Sequence, residues 1–279
     1  MSPVRLTRRV RFSAGHRYWD DKLNPEANKA LFGPWASPYN HGHNYVLDAT
    51  TIGQVNPTNG MVVNIKTIDD LMDAHIVGPF DQKSLNDEVS EFAEMPPSVE
   101  NILEVVKDRL SPVLPVPLIG LKLEETPLLY GELQSTMQNP HTWKLTLTRV
   151  YEFAASHRLN VPSLSVEENL RLFGKCNNPS GHGHNYVLEV TVTGTADPQT
   201  GMLVDIGTLD KVVNERVIDR YDHHNLNEDL PEFATGVTTS EIVAQAIWDS
   251  LAAVVPAKLD RIRLFETARN IFEINAEEA

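Results

Sequence analysis

The sequence has a single cysteine, Cys176, among 279 residues. No internal disulfide can form, and a reducing compartment, the cytoplasm, is expected. It has no run of about 18 apolar residues, which argues against a membrane-spanning helix. Met1 to Arg5 carries no apolar core, so no secretory leader is expected. Positive charge is scarce: 24 Lys+Arg stand against 38 Asp+Glu, for a net charge of -14. Phosphate backbones demand Lys/Arg stripes, so nucleic acid is not expected as the main partner. A small phosphorylated substrate stays open, because a local cation or metal can hold one on an acidic protein. The rest is ordinary for a globular protein, 41% hydrophobic and 22% charged, with a length that suits two domains of about 140 residues.

The chain repeats itself. Arg11-Phe12-Ser13-Ala14-Gly15-His16-Arg17 recurs as Glu152-Phe153-Ala154-Ala155-Ser156-His157-Arg158. His41-Gly42-His43-Asn44-Tyr45 recurs as His182-Gly183-His184-Asn185-Tyr186, Gly60-Met61 as Gly201-Met202, and Glu125-Thr126 as Glu266-Thr267. Every pair is 141 residues apart (157 minus 16, 182 minus 41, 266 minus 125). A register kept through loops, which tolerate insertions, predicts two copies of one fold. The expected division is residues 1–133, a polar linker at 134–143, and residues 144–279.

Within each copy the pattern predicts a first strand (5–14 and 144–155), a short helical stretch near 166–170, and a second strand (41–53 and 182–194). Asn56-Pro57-Thr58-Asn59-Gly60 and Asp197-Pro198-Gln199-Thr200-Gly201 are turn signals. A short strand, a helix (65–77 and 206–217), a second helix (99–110 and 240–254) capped by Ser98 or Thr239, and two closing strands follow. The order ββααββ predicts an α+β fold, an antiparallel four-stranded sheet with two helices on one face.

His41-x-His43 opens a strand, where period-two alternation sends both imidazoles to one face. His16 ends the preceding strand, and strand pairing would bring it alongside. Three imidazoles without a protein fourth ligand suit an open, catalytic Zn²⁺ site. A lone H-x-H is more often an ordinary surface pair. Its recurrence as His157, His182 and His184 reverses that balance, and one Zn²⁺ per domain is expected.

Cys176 lies in a Gly/Asn/Pro-rich loop beside Lys175, six residues before His182. Thiols near cations serve as bases or nucleophiles, although by residue type alone a buried inert cysteine is the commoner case. Asp222-His223 pairs a carboxylate with an imidazole, an arrangement for proton transfer or for closing a helix end. Glu266 ends a strand, where a carboxylate can accept two N–H groups from a guanidine-like pyrimidine edge.

Residues 146–274 resemble the 6-pyruvoyl-tetrahydropterin synthases. The resemblance rests on Phe153–Leu159, on Leu172–Tyr186, on Asp197-Pro198 with Gly201-Met202, on Asp222-His223 with Asn225-Leu226, on Thr239-Ser240-Glu241 and on Glu266-Thr267. It implies tandem tunnelling folds, whose four-stranded sheets close into an oligomeric barrel. It also implies 7,8-dihydroneopterin triphosphate as substrate, with loss of triphosphate and no redox cofactor. Zinc on His157, His182 and His184 would be the Lewis acid. Cys176 would be the base, completed across a subunit interface by His223 and Asp222. Glu266 would anchor the pterin with Thr239, Ser240 and Glu241. The five residues between Cys176 and His182 resemble the pyruvoyl-forming branch; the alternative is the related 6-carboxytetrahydropterin synthase of the queuosine pathway.

The first copy resembles the same family but departs from it. It keeps His16, His41, His43, Asp81, Glu100 and Glu125, whereas Trp35 stands at the position of Cys176 and Gln82 at that of His223. Neither can act as a base near pH 7. A non-catalytic pterin-binding role is the alternative for this copy, with Trp35 either stacking on a ring or plugging the pocket. A homo-oligomer is expected, a trimer of two-domain chains whose six repeats mimic a hexamer.

Overall fold

The computed structural model describes residues 2–136, 139, 141–234 and 236–277. Two compact units divide the protein, and they do not follow the repeat boundary. One comprises Met1–Thr148 together with Thr193–Val204; the other comprises Arg149–Val192 and Asp205–Ala279. The turn of the second repeat thus belongs to the first unit. Of the expected linker, Met137, Gln138 and Pro140 lie outside the described residues; before them the Ser135 N–H still bonds the Ile119 carbonyl at 2.9 Å.

In the first unit, β1 (Val4–His16) and β2 (His41–Gly53) pair antiparallel along their whole length without a slip, from Val4 opposite Gly53 to His16 opposite His41. β4 (Leu118–Thr126) pairs antiparallel with β2, and β5 (Leu129–Gln134) with β4. The two-residue β3 (Lys83–Ser84) adds to the other side of β1, parallel to it. Alternation along β2 sends Tyr45, Leu47 and Ala49 into the core, the period-two pattern of a half-buried strand. Helix Val99–Leu110 covers that face through Ile102, Leu103, Val106 and Leu110.

The second repeat follows the same plan. β6 (Lys144–His157), β7 (His182–Thr193), β9 (Lys258–Thr267) and β10 (Asn270–Asn275) are neighbours in that order. The short β8 (His224–Asn225) runs parallel to β6 at Ala155 and Ser156. Phe153, Tyr186, Leu188, Leu209, Val213 and Leu264 are buried in the core, together with Ile247 of helix Ser240–Leu251.

Four expectations need correction. No strand follows the Gly60 or Gly201 turn; the backbone passes directly into the helix. The helices expected at 65–77 and 206–217 are α-helical only over Ile65–Met72 and Ile206–Val213, then widen into π-turns, Asp73–Val77 and Asn214–Ile218. Apolar spacing at 3–4 residues does not separate α from π hydrogen bonding, so the sequence hid this. The last helix ends at Leu251 rather than 254. The Ser98 hydroxyl caps its helix by accepting the Asn101 N–H, whereas Thr239 holds the same position without a capping bond from its hydroxyl.

Candidate functional site

The uninterrupted β1–β2 register sets His16 directly across from His41, with His43 opposite Ala14. The candidate ligand atoms of His16, His41 and His43 all lie within 4.8 Å of one another, and those of His157, His182 and His184 do the same. The His16 Nδ1 is 2.7 Å from the Pro97 carbonyl oxygen, and the His157 Nδ1 is 2.7 Å from that of Thr238. A carbonyl only accepts, so each Nδ1 carries the proton and each Nε2 presents its lone pair. The Nε2 atoms of His16, His43, His157 and His184 are buried and have no hydrogen-bond partner among the described residues. Buried polar atoms are normally satisfied. Orphaned imidazole nitrogens within triads of converging histidines fit a divalent transition metal such as zinc. The electrostatics agree: burial, reinforced by His41, pushes His16 down to about 3 and His43 down to about 4. Burial also lowers His157 and His184. Burial thus favours the neutral, ligating form of these four rings.

A carboxylate adjoins each triad. Glu266 Oε1 is 3.8 Å from His184 Nε2 and 3.9 Å from His157 Nε2; in the first repeat, Glu125 lies 3.7 Å from His43 and 3.8 Å from His16. Both glutamates sit where the pairing of the last two strands slips, between Thr267–Asn270 and Phe265–Ile271, and between Glu124–Tyr130 and Thr126–Leu129. A bulge adds one unpaired residue and re-aims its side chain, which is how a strand-end glutamate comes to face the imidazoles. Glu266 Oε1 accepts the Ser240 hydroxyl at 2.7 Å, and Oε2 accepts the Asn270 amide at 2.8 Å. Burial opposes its charge, yet Asn270, Ser240 and the two histidines hold Glu266 below its usual range. Asn270 escapes the sequence reading, because it has no distinguishing motif. In the first repeat the matching positions are Val99 and Leu129, so both of these donors are absent.

Asp222 Oδ1 accepts the Ala154 N–H at 2.7 Å, and Oδ2 lies 2.7 Å from His223 Nδ1. These two bonds hold the Asp222 carboxyl below its usual range. His223 has φ 61°, and Gln82, its counterpart, has φ 59°. Left-handed backbone is uncommon without glycine and concentrates at functional turns. The first repeat keeps this turn, with Asp81 accepting the Ser13 N–H at 2.8 Å, but has lost the imidazole. His184 and His223 line one open cleft of about 630 Å³, together with Ser156, Asn185 and Asp229.

Cys176 is half-buried in a single 3₁₀ turn, Gly174–Asn177, whose carbonyl at 176 accepts the Leu159 N–H at 2.9 Å. It is neither among the clustered ligand atoms nor among the residues lining the His184–His223 cleft. Trp35 occupies the matching turn, Gly33–Trp35, is 38% exposed, and does not line the corresponding first-repeat cleft. Glu100 is buried and accepts the Leu203 N–H at 2.7 Å, and burial raises its carboxyl above the usual range. Its counterpart Glu241 is exposed, on the first turn of helix Ser240–Leu251.

The family model for 6-pyruvoyl tetrahydropterin synthase matches residues 5–135 and again 146–277. The human 6-pyruvoyl tetrahydrobiopterin synthase is 48% identical over 132 residues, which is 47% of this chain and 91% of the relative. The 6-carboxy-5,6,7,8-tetrahydropterin synthase of Bacillus subtilis is 30% identical over 139 residues, 48% of this chain and 82% of the relative. The solved 6-pyruvoyl tetrahydropterin synthase of Caenorhabditis elegans is 42% identical, with a TM-score of 0.46, and the match spans 48% of this protein and 96% of that one. Among the described residues no helix is long and apolar enough to cross a membrane.

Proposed function

The protein belongs to the 6-pyruvoyl tetrahydropterin synthase family and carries it twice; from that premise we propose that its second repeat converts 7,8-dihydroneopterin triphosphate to 6-pyruvoyl-tetrahydropterin, releasing triphosphate. His157, His182 and His184 would hold zinc, which when bound supplies Lewis acidity to the hydroxyls of the substrate's side arm and the adjacent C–H. Glu266 accepts the pterin's ring N–H and amino hydrogens, and it stays charged because Ser240 and Asn270 already satisfy it from the protein side. Thr239, Ser240 and Glu241 flank that edge at the helix start. Cys176 removes the proton of that C–H. His223, oriented by Asp222, returns a proton on the other side. Since Cys176 does not line the cleft that holds His223, the two act together only where sites meet between subunits. Redox change is internal to the substrate, so no external redox cofactor is consumed.

The observation that carries this reading is the placement of Glu266 within 3.9 Å of two imidazole Nε2 atoms. Its test is triphosphate release from dihydroneopterin triphosphate by the zinc-loaded protein and by Cys176→Ala. Undiminished release by the variant refutes the base.

The similarity to the Bacillus subtilis carboxy-forming enzyme supports a second reading, formation of 6-carboxytetrahydropterin with release of acetaldehyde. Mass analysis of the product separates the two. For the first repeat, Trp35 and Gln82 at the positions of Cys176 and His223 support a metal- and pterin-binding role without turnover. The assembly that suits tandem copies is a cytoplasmic trimer of two-domain subunits, and its mass in solution tests it.

A further inference from the structure

The two glutamates beside the histidine triads are not held alike. Glu266 offers one oxygen, Oε1, to both His157 and His184, at 3.9 and 3.8 Å. That oxygen also accepts the Ser240 hydroxyl, and Oε2 accepts the Asn270 amide. Glu125 faces its triad with both oxygens, one to each of two rings. Its Oε1 is 3.7 Å from His43 Nε2 and its Oε2 is 3.8 Å from His16 Nε2.

The sequence supplies the reason. Ser240 and Asn270 correspond to Val99 and Leu129, 141 residues earlier, and both of these are buried, at 2% and 6% exposed. Neither side chain can donate a hydrogen bond. In the second repeat two side-chain donors hold the carboxylate from the protein's side. In the first, hydrocarbon stands at those positions and the charged edge addresses the imidazoles. A carboxylate taken out of water is costly unless it is paired or coordinates a metal. The Glu125 side chain is only 10% exposed. His16 Nδ1 donates to the Pro97 carbonyl at 2.7 Å, so its Nε2 turns a lone pair toward the Glu125 oxygen. Two acceptors set face to face call for a cation between them. Donors that share one tetrahedral zinc at about 2.0–2.2 Å lie about 3.3–3.6 Å apart, so the carboxylate has only a few tenths of an ångström to close.

We propose that Glu125 is the fourth protein ligand of the first repeat's metal. His16, His41, His43 and Glu125 then form a closed, structural centre, whereas Glu266 stays off the ion and leaves the second repeat's position open. Zinc sites divide along this line, with four protein ligands in structural centres and three plus an open position in catalytic ones. The four residues come from β1, β2 and β4, so the centre ties three neighbouring strands at one end of their sheet. The degenerate repeat keeps its triad as a clamp. This deepens the metal-binding part of the reading for the first repeat and rests on it. A pterin reaches Glu125 there only by displacing it from the ion.

The test loads cobalt(II) in place of zinc into the full-length protein and follows its visible absorption during an azide titration. An anion enters an open coordination position and finds none in a closed centre. His157→Ala leaves the first site to bind alone, and His16→Ala the second. The His157→Ala spectrum is expected to ignore azide, and the His16→Ala spectrum to change with it. Adding Glu125→Gln to the His157→Ala protein is expected to admit azide and to speed zinc release to a chelator about tenfold or more. Glu266→Gln in the His16→Ala protein is expected to leave zinc release unchanged. Matching melts of the metal-free proteins verify that Glu125→Gln folds, and the azide comparison needs no glutamate variant. The proposal is overturned if azide shifts the first site as it shifts the second, or if the two Gln variants affect release alike. A His157→Ala protein that takes up no metal overturns it together with the metal reading of the first repeat. An azide-insensitive, Glu125-dependent first site in a protein that forms no pterin product upholds the proposal and removes the pterin-synthase reading instead.

Discussion

The Nδ1 of His157 lies 2.7 Å from the carbonyl oxygen of Thr238, and this bond decides which nitrogen of the ring faces the other two histidines. Thr238 directly precedes Thr239, the cap of helix Ser240–Leu251. The segment that orients the His157 ring therefore also carries Ser240 to Glu266. The histidine triad and the carboxylate beside it are tied together through three consecutive residues, 238–240.

His157→Ala is therefore expected to halve the zinc content from two ions per protomer to one, because the first repeat keeps its own triad. Elemental analysis of wild type, His157→Ala and His16→Ala reads this directly. A partner that orients a metal-bound histidine typically changes affinity by about 10–100-fold, and loss of the ligand itself costs more.

Cys176→Ala is expected to lower turnover by about 10²–10⁴-fold, the usual contribution of a positioned base, with little change in melting temperature, since the thiol is only half-buried. Steady-state assay beside a thermal melt checks both.

Glu100→Gln keeps an acceptor for the Leu203 N–H and removes a buried charge. Burial raises the folded carboxyl above its unfolded value. The unfolded state therefore loses its proton first, and wild-type stability falls as pH rises from the unfolded value through the folded one. The variant is expected to gain on wild type across that rise, with the advantage vanishing in acid below the unfolded carboxylate range. Paired melts at acidic and neutral pH measure it.

Gln82→His is expected to change stability by no more than about 0.5 kcal/mol, because Gln82 already holds the left-handed backbone of His223. A chemical-denaturation midpoint close to wild type is the check. On its own the substitution is expected to leave turnover unchanged, since Trp35 remains.

How far the sequence reaches is visible in particular residues. The constant offset and the alternation of β1 and β2 are enough to pair His16 with the H-x-H strand, because period-two geometry is local and the register has no slip. The bulges that turn Glu125 and Glu266 inward are not legible, since a bulge is a property of two strands together. Nor is the role of Asn270, one amide among many until Glu266 is placed beside it. The π-turns escape for a related reason, as one extra residue per turn leaves the apolar spacing almost unchanged. The seating of Gly201 on Ser98 is a contact 103 residues apart in sequence, beyond any local pattern.

The identity of the product formed from 7,8-dihydroneopterin triphosphate tests the central claim most directly. Mass spectrometry of the reaction with the zinc-loaded protein is expected to show 6-pyruvoyl-tetrahydropterin and free triphosphate. A carboxyl-bearing pterin with acetaldehyde, or substrate recovered unchanged, would contradict it.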